Sequence, residues 1–554
     1  MSIFSKSLII SSQSFIKSPV SNQKKVSRSL FSIASIVALA TFISKVFGLV
    51  REQVIAAAFG VSSIVNAYAY AYVIPGFLLI LLGGINGPFH SALVSILAKR
   101  NKSEAASLVE TVTTLVGIIL LMTTIILIIF AGTFIDILAP GLEEQTRAIS
   151  VQQLRVMAPL ALLAGLIGIG FGTLNAANHY WLPSISPLFS SLAIVISVEI
   201  FTWSVGAQIN SSQYIQLGGM VLAGGTLVGG ILQWVVQLIT QSHLGMGKLR
   251  LRFDWRTPGV MDVIRVIGPA TLSSGMLHVN VYTDLFFASF IQNAAAAMRY
   301  ANFVALTPLG IISNMILVPF LPVFSRLTTP ENWPELKVRI RQGLLLAALT
   351  MLPLTAIFIA IAPLIIKVIY QRGAFKSTDV DIVVPVLMAY GLGMFFYLGR
   401  DILVRVFYAL GDGETPFKVS VFNIFLNGLL DFLLYKPFAT PGLVLATIGV
   451  NITSMMIFLW ILNRRLHGLP LKKWGLSLLG LTAISCMAGA GSWAISLAWE
   501  QLLGSNNLLL QLLQLTLALG VAFGIFVVLS MQLRLPEVDI LLSRIRHKFN
   551  RAYE

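Results

Sequence analysis

Leu344-Leu-Leu-Ala-Ala-Leu-Thr-Met-Leu-Pro-Leu-Thr-Ala-Ile-Phe-Ile-Ala-Ile-Ala-Pro-Leu-Ile-Ile366 runs for 23 residues without a charged side chain. Wound as a helix, such a run is roughly 35 Å long, enough to cross a bilayer core of about 30 Å. Similar runs recur at Leu115 to Ala131 and at Leu508 to Met531. Of the 554 residues, 56% are apolar and 11% charged, against roughly 25% charged residues in a soluble domain. Mean hydropathy is +0.86. These values exclude a water-soluble globular protein and predict an all-α integral membrane protein.

Fourteen spans are predicted, near 31–58, 65–97, 107–138, 154–177, 184–206, 216–241, 260–291, 296–325, 342–366, 380–409, 419–435, 441–463, 475–499 and 507–531. The net charge of +16 fits this reading through its placement. With both termini on the cytoplasmic side, 26 Lys and Arg fall in cytoplasmic segments and 5 on the opposite face. That is the positive-inside pattern, and a count wrong by one span would scatter the basic loops over both faces. The predicted location is the cell inner (cytoplasmic) membrane. In this setting the basic excess orients the chain, and no nucleic-acid partner is expected.

Residues 1–30 hold five basic residues and no acid, and read as a cytoplasmic basic tail. Residues 535–554 place Val538, Leu541, Leu542, Ile545 and Phe549 on one face among Arg544, Arg546 and Lys548, the pattern of an interfacial helix. Cys486 is the single cysteine, so neither a disulfide within the chain nor a CxxC site exists. The six histidines show no ligand spacing. No metal and no cofactor is expected.

A weak internal repeat has an offset of six spans. Pro75 and Pro308 are 233 residues apart, as are Pro183 and Pro416, and Pro88 and Pro322 differ by 234. An even number of spans makes the two copies parallel. The expected organisation is an N-lobe over 31–245, a C-lobe over 246–465 and an extra pair of spans over 466–534, with a cavity between the lobes.

Charge inside the bilayer is costly, about 2.5–3.5 kcal/mol per residue on insertion scales. Span 1 nevertheless carries Lys45, Arg51 and Glu52, with Lys45 and Glu52 on one helical face. The repeat offset carries Arg51 onto Asp284 in span 7 and Asn66 onto Arg299 at the start of span 8. Each charge has two readings, a structural ion pair or a cavity group. Glu199 and Asp431 are left open between proton relay and simple hydrogen bonding. A cationic cavity between lobes suits an anionic cargo, because guanidinium and ammonium groups pair with phosphate oxygens.

Several segments resemble the MurJ/MviN family of lipid II flippases, within the multidrug/oligosaccharidyl-lipid/polysaccharide exporter superfamily. They are Thr41-Phe-Ile-Ser-Lys-Val-Phe-Gly-Leu-Val-Arg-Glu52, Ala139-Pro-Gly141, Leu174-Asn-Ala-Ala-Asn178 with Pro183, Gln371-Arg-Gly-Ala-Phe375 with Asp379, and Phe407-Tyr-Ala409 with Asp412, Thr415, Pro416 and Lys418. The resemblance covers nearly the whole chain. It implies alternating access, a cavity that takes the pyrophosphate and sugars, and a groove at spans 13 and 14 for the lipid tail. By position, Lys45 stands where the family has an essential Arg, while Arg51, Glu52 and Asp284 keep family charges. The chain departs from the pattern at Leu79 and Ile80, where members carry two Arg, at Asn66 and Asn86, which replace acids, and at Phe303, which replaces a cavity Arg. Arg299 lies one helical turn before Phe303 on the same face.

The function expected from the resemblance is outward translocation of the undecaprenyl-pyrophosphate-linked disaccharide-peptide for cell-wall biosynthesis. The substrate-binding residues are expected to be Lys45, Arg51, Glu52, Asn66, Asn86, Asp284 and Arg299. Membrane lipids and other cell-wall synthesis proteins are the expected partners. A cation-coupled drug or polysaccharide-lipid exporter of the same fold is the alternative, and a cell-wall scaffold without transport is a third reading. No nucleophile-base pair or phosphate-cradling Gly loop points to an enzyme.

Overall fold

The computed structural model describes residues 20–83, 88–97, 99–209, 211–254, 256–263, 265, 279–504 and 507–533, with side chains from residue 37 onward apart from 88, 91 and 207. Among these residues the regular structure is helical, with no strand. Eleven helices are long and apolar enough to cross a membrane. The longest, Glu414–Arg465, is two helices joined at Ala439, whose φ of 49° and ψ of −135° are non-helical. Pro437 and Pro441 flank that residue, and each removes a backbone donor. Spans 11 and 12 are therefore separate helices with almost no loop between them.

Two further spans fall outside the eleven. Span 1 is the 40-residue helix Val20–Phe59, which begins inside the segment read as a tail. Span 7 is described from Val279–Ala288, the end of the predicted 260–291. With these, described helical segments fall at each of the fourteen predicted spans, span 7 in its described part alone. The interfacial helix expected at 535–554 and the candidate residue Asn86 lie outside the described residues.

Local chemistry sets several boundaries. Span 3, Lys102–Ile129, starts where Asn101 Oδ1 accepts the Glu104 N–H at 3.0 Å, an N-cap. Span 14, Leu508–Gln532, starts the same way from Asn507. Span 2 is described over Ser63–Gly83, which stays helical through Pro75, and over Pro88–Leu97. Span 8, Ala294–Ser325, stays helical through Pro308, Pro319 and Pro322. Such breaks in hydrogen bonding persist in a membrane where the helix faces protein or a wet cavity.

Packing follows two groups. The span 5 helix Pro187–Val205 packs on span 1 and on span 6, Ile215–His243, while spans 2 and 3 pack on Leu160–Ala176 of span 4. In the second group, span 10, Ser377–Ala409, packs on spans 8, 9 and 11–12, and span 13, Leu471–Leu502, packs on span 9 and span 14. Spans 5 and 6 touch backbone to backbone: a Cβ on Gly229 would lie 2.6 Å from Ser190 Cα. Lipid offers no hydrophobic drive between helices, so close van der Waals approach of this kind holds them. The outer belt is apolar, with Trp203 90% exposed and Ile119, Phe425 and Leu476 also on the surface.

The two groups are fastened at one end. Ala374 N donates to Ala57 O at 2.7 Å, and the Tyr300 hydroxyl donates to Gly60 O at 3.0 Å. Gly141 N donates to Ser289 Oγ at 3.0 Å. Gly60 and Gly373 both have positive φ, and a Cβ on Gly373 would collide with Ala57 O. Only glycine allows this approach. The family-like segments around Ala139-Pro-Gly141 and Gln371–Phe375 thus form the fastening. Phe375 is buried against the rings of Tyr300 and Tyr370 at 5.5 and 5.6 Å.

Candidate functional site

Between the two groups lies a cavity of about 760 Å³. Its walls include Lys45, Arg51, Glu52, Asp284 and Arg299, five of the seven residues singled out from sequence. Asn66 is elsewhere: it is buried, outside the cavity wall, and its Oδ1 accepts the Ala296 N–H at the first turn of span 8, at 3.2 Å. Its place is at the seam between spans 2 and 8.

Glu52 forms the centre of one wall. Its side chain is 2% exposed, and Oε1 accepts Arg51 Nη2 at 2.8 Å, Arg51 Nε at 3.1 Å and Arg299 Nη2 at 2.8 Å. Two cations thus meet one carboxylate, leaving an excess positive charge. The Arg299 guanidinium also lies 4.8 Å from the Tyr68 ring centroid, and Tyr68 is fixed by a 2.9 Å hydrogen bond with Thr226. Lys45, two helical turns before Glu52, is exposed on the same wall. A guanidinium carries five N–H donors, and Arg299 Nε has no partner among the described residues. The pair therefore keeps donors for an incoming anion while Glu52 holds both arginines in place.

The facing wall has the opposite balance. Asn427 Nδ2 donates to Asp284 Oδ1 at 2.7 Å and to Asp431 Oδ2 at 2.8 Å, and Thr447 Oγ1 donates to Asp284 Oδ2 at 3.2 Å. Asp431, Asn427 and Asn423 are buried, and Ser454 donates to Asn423 at 2.9 Å. Two carboxyls share one amide, with no cation in these contacts. Like charges this close do not both ionise without compensation, so one shared proton or one small cation balances the cluster. No group of three or more His, Cys, Asp or Glu in metal-binding array is found among the described residues.

Arg400 of span 10 is a wall residue that sequence reasoning passed over. Its Nε has no partner among the described residues, and Asp401 lies 3.7 Å from Nη1. The carboxyl cluster had a readable signal: Asn423, Asn427 and Asp431 are spaced by four, as are Thr447 and Asn451, so each set shares a helical face. Tyr72, Tyr282, Tyr390 and Tyr397 add aromatic surface to the cavity, and Ile80 and Phe303 add apolar surface. Glu199 sits on the exposed outer face of span 5.

Other family-like segments are structural. Asp412 accepts Thr415 N and Oγ1 at 2.9 Å each and Arg465 Nη1 at 2.8 Å, which fixes the start of span 11 against the end of span 12. Burial raises the Asp412 pKa, but the Thr415 and Arg465 donors outweigh it and hold the carboxyl below its ordinary range. Leu174–Asn178 ends a helix, with His179 N donating to Leu174 O at 2.8 Å and Asn178 in the left-handed region.

The sequence model of the family described as Lipid II flippase MurJ matches residues 55–514. A probable lipid II flippase MurJ of Synechocystis sp. is 63% identical over 528 residues, covering 95% of this chain and 99% of that protein. The lipid II flippase MurJ of Burkholderia cenocepacia is 26% identical over 83% of this chain and 89% of its own length. Among solved structures, a lipid II flippase MurJ in an inward closed conformation aligns over 90% of this chain and 99% of its own, with a TM-score of 0.71 and 22% identity. An inward-facing multidrug transporter of the MATE family aligns over 78% of this chain and 98% of its own, with a TM-score of 0.55 and 14% identity. At such identities the two structural likenesses concern the fold alone.

Proposed function

The chain belongs to the lipid II flippase MurJ family, and from that premise we propose that it carries the lipid-linked peptidoglycan precursor from the cytoplasmic to the outer leaflet by alternating access. It is a multi-pass membrane transporter and not an enzyme. The observation that carries the cargo assignment is the convergence of Arg51 and Arg299 on Glu52 in the wall of an interlobe cavity, beside Lys45. A diphosphate presents oxygens that take bidentate guanidinium donors, and a cavity shielded from water strengthens those bonds.

In this reading Lys45, Arg51 and Arg299 bind the diphosphate, with Glu52 positioning the two arginines. Arg400 adds a further cation, and the tyrosines offer ring faces to the sugars. Asp284 acts from the opposite wall as part of the carboxyl cluster. Asn66 serves at the seam between spans 2 and 8, and Asn86 completes the proposed set. Spans 1–6 and 7–12 act as two lobes, with spans 13 and 14 along the path of the polyprenyl tail. Both termini face the cytoplasm of a cell whose inner membrane holds the protein. The fastening at Ala57, Gly60, Gly141 and Ala374 then closes the outer side, so the cavity belongs to an inward-directed state.

The test is a reconstituted flipping assay with defined lipid-linked cargo. Native protein in vesicles should move the disaccharide-peptide lipid to the far leaflet, and Arg299→Ala should slow it by about 100-fold, as the loss of one charge-assisted contact to a charged group predicts. Undiminished transport by the Arg299→Ala chain, or none by the native chain under any ion gradient, would count against the assignment.

A further inference from the structure

A second cavity, of about 440 Å³, lies between span 9, the end of span 12 and the start of span 13. Its volume falls within the roughly 300–1,000 Å³ of small-ligand sites. The wall is apolar, built from Leu344, Leu345, Met455, Leu459 and Trp460 among others, and no acid among the described residues lines it. Arg341 lies in the wall itself. The surroundings are basic: the Arg464 guanidinium stacks 4.1 Å from the Trp460 ring centroid, and Lys472 and Lys473 are exposed in the first turn of span 13. Trp474 in the wall is 4% exposed, and its indole N–H has no acceptor among the described residues.

An apolar chamber with Arg341 in its wall and Arg464, Lys472 and Lys473 beside its lining residues matches an amphiphile with a hydrocarbon chain and an anionic head. Charge also discriminates among occupants. The chain's own residues 534–554 follow Leu533, which packs at Gly480 of span 13, but they carry Arg534, Arg544, Arg546, Lys548 and Arg551 against three acids, the wrong sign for this rim. A zwitterionic lipid brings no net charge to it.

We propose that this chamber holds one acyl chain of an anionic phospholipid, with its phosphate at Lys472, Lys473 and Arg464 and the Trp474 N–H available to a lipid oxygen. The site depends on embedding in a bilayer and not on the identity of the transported cargo, so it stands or falls separately from the flippase reading.

Gly475 supplies the test. It lines the chamber, and a Cβ there would meet nothing within 4 Å, so a side chain at this position fills the cavity without a clash at its root. The full-length chain in detergent is exposed in turn to phosphatidylglycerol, phosphatidylcholine and a polyprenyl diphosphate, and the retained lipid is counted by native mass spectrometry. The native chain should retain phosphatidylglycerol over phosphatidylcholine. Gly475→Phe should lower phosphatidylglycerol retention by about ten-fold, the effect of excluding about two methylenes, and leave polyprenyl diphosphate retention unchanged. Lys472→Gln and Lys473→Gln should each reduce the preference for the anionic lipid by about five-fold without changing phosphatidylcholine. Gly475→Leu should give an intermediate loss, and it carries the test if thermal unfolding shows the Phe variant to be unfolded.

Three results overturn the proposal. One is equal phosphatidylglycerol retention by the native chain and a folded Gly475 variant. Another is selective loss of the polyprenyl diphosphate from that variant, which would make the chamber part of the cargo path. The third is a large gain in phosphatidylglycerol retention on removal of residues 534–554, which would make that segment the resident occupant.

Discussion

The two walls of the central cavity carry opposite imbalances. On one side Arg51 and Arg299 share the single carboxylate of Glu52, and on the other Asp284 and Asp431 share the single amide of Asn427. The first arrangement has donors to spare and lacks an anion. The second has acceptors to spare and lacks a proton or a cation. The carboxyl cluster sits on spans 7 and 11 of the second packing group, whereas the arginine cluster joins span 1 of the first group to span 8 of the second, so motion of one group against the other acts directly on the Glu52–Arg299 pair. The pairing teaches that net cavity charge is a poor summary: what each wall can bind depends on how its few charges are already paired.

Reversing charge on the first wall should have the largest effect. Arg299→Glu places two carboxylates beside one arginine, and like-charge juxtaposition of several kcal/mol predicts a transport loss of about a thousand-fold in the flipping assay. Asp284→Asn should be milder, with about a ten-fold loss and a flattened response to pH and to monovalent cations, read in the same vesicles. If the two variants gave equal losses and the same ion response, the distinction between the walls would collapse.

The seam sharpens the comparison because it should change access without changing either wall. In a Cys486→Ser background with Lys45→Cys as the reporter, Gly373→Val should raise the rate of thiol labelling from the fastened side by about ten-fold, as a shift of slightly over 1 kcal/mol toward the open state predicts. An unchanged labelling rate would place the closure elsewhere. The smallest effect is expected at Asp412, away from the cavity. Asp412→Ala should cost about 1 kcal/mol of stability, the usual worth of a helix-start carboxylate, with transport per folded molecule unaltered. Because the Asp412 pKa is lowered in the folded protein, the stability gap between native and variant should be full above the ordinary aspartate value of about 4 and shrink as the pH falls below it. A gap that widens on acidification would contradict that sign.

Much of the architecture was legible because the bilayer imposes a coarse rule: uncharged runs longer than about 18 residues become spans. The positive wall was legible for the same reason, since Lys45, Arg51 and Arg299 stand out where charge is expensive. Span 8 behaves as expected in this respect, with Arg299 and Phe303 both on the cavity wall, one turn apart. Arg400 carried the same flag, a charge inside predicted span 10, but neither the proline repeat nor a family-like motif singled it out. The carboxyl cluster was partly legible through its spacing of four, but its closure onto Asp284 joins residues 143 apart and needs the tertiary packing of span 7 on span 11. The seam was illegible in principle, since a bond from Ala374 N to Ala57 O involves no distinctive side chain. The motifs flanking it looked uniform with the cavity motif, although they serve closure and helix capping.

The fastening has a consequence for how the protein responds to ionic strength. Its named contacts are neutral ones: the backbone of Ala57, Gly60 and Ala374, the hydroxyls of Tyr300 and Ser289, and the amide of Asn66. Mobile ions screen charges and leave such dipolar contacts nearly untouched. A salt titration of the whole cycle therefore acts on the charged contacts, the Glu52–Arg299 pair between span 1 and span 8 among them, while the neutral contacts of the fastening stay level across it.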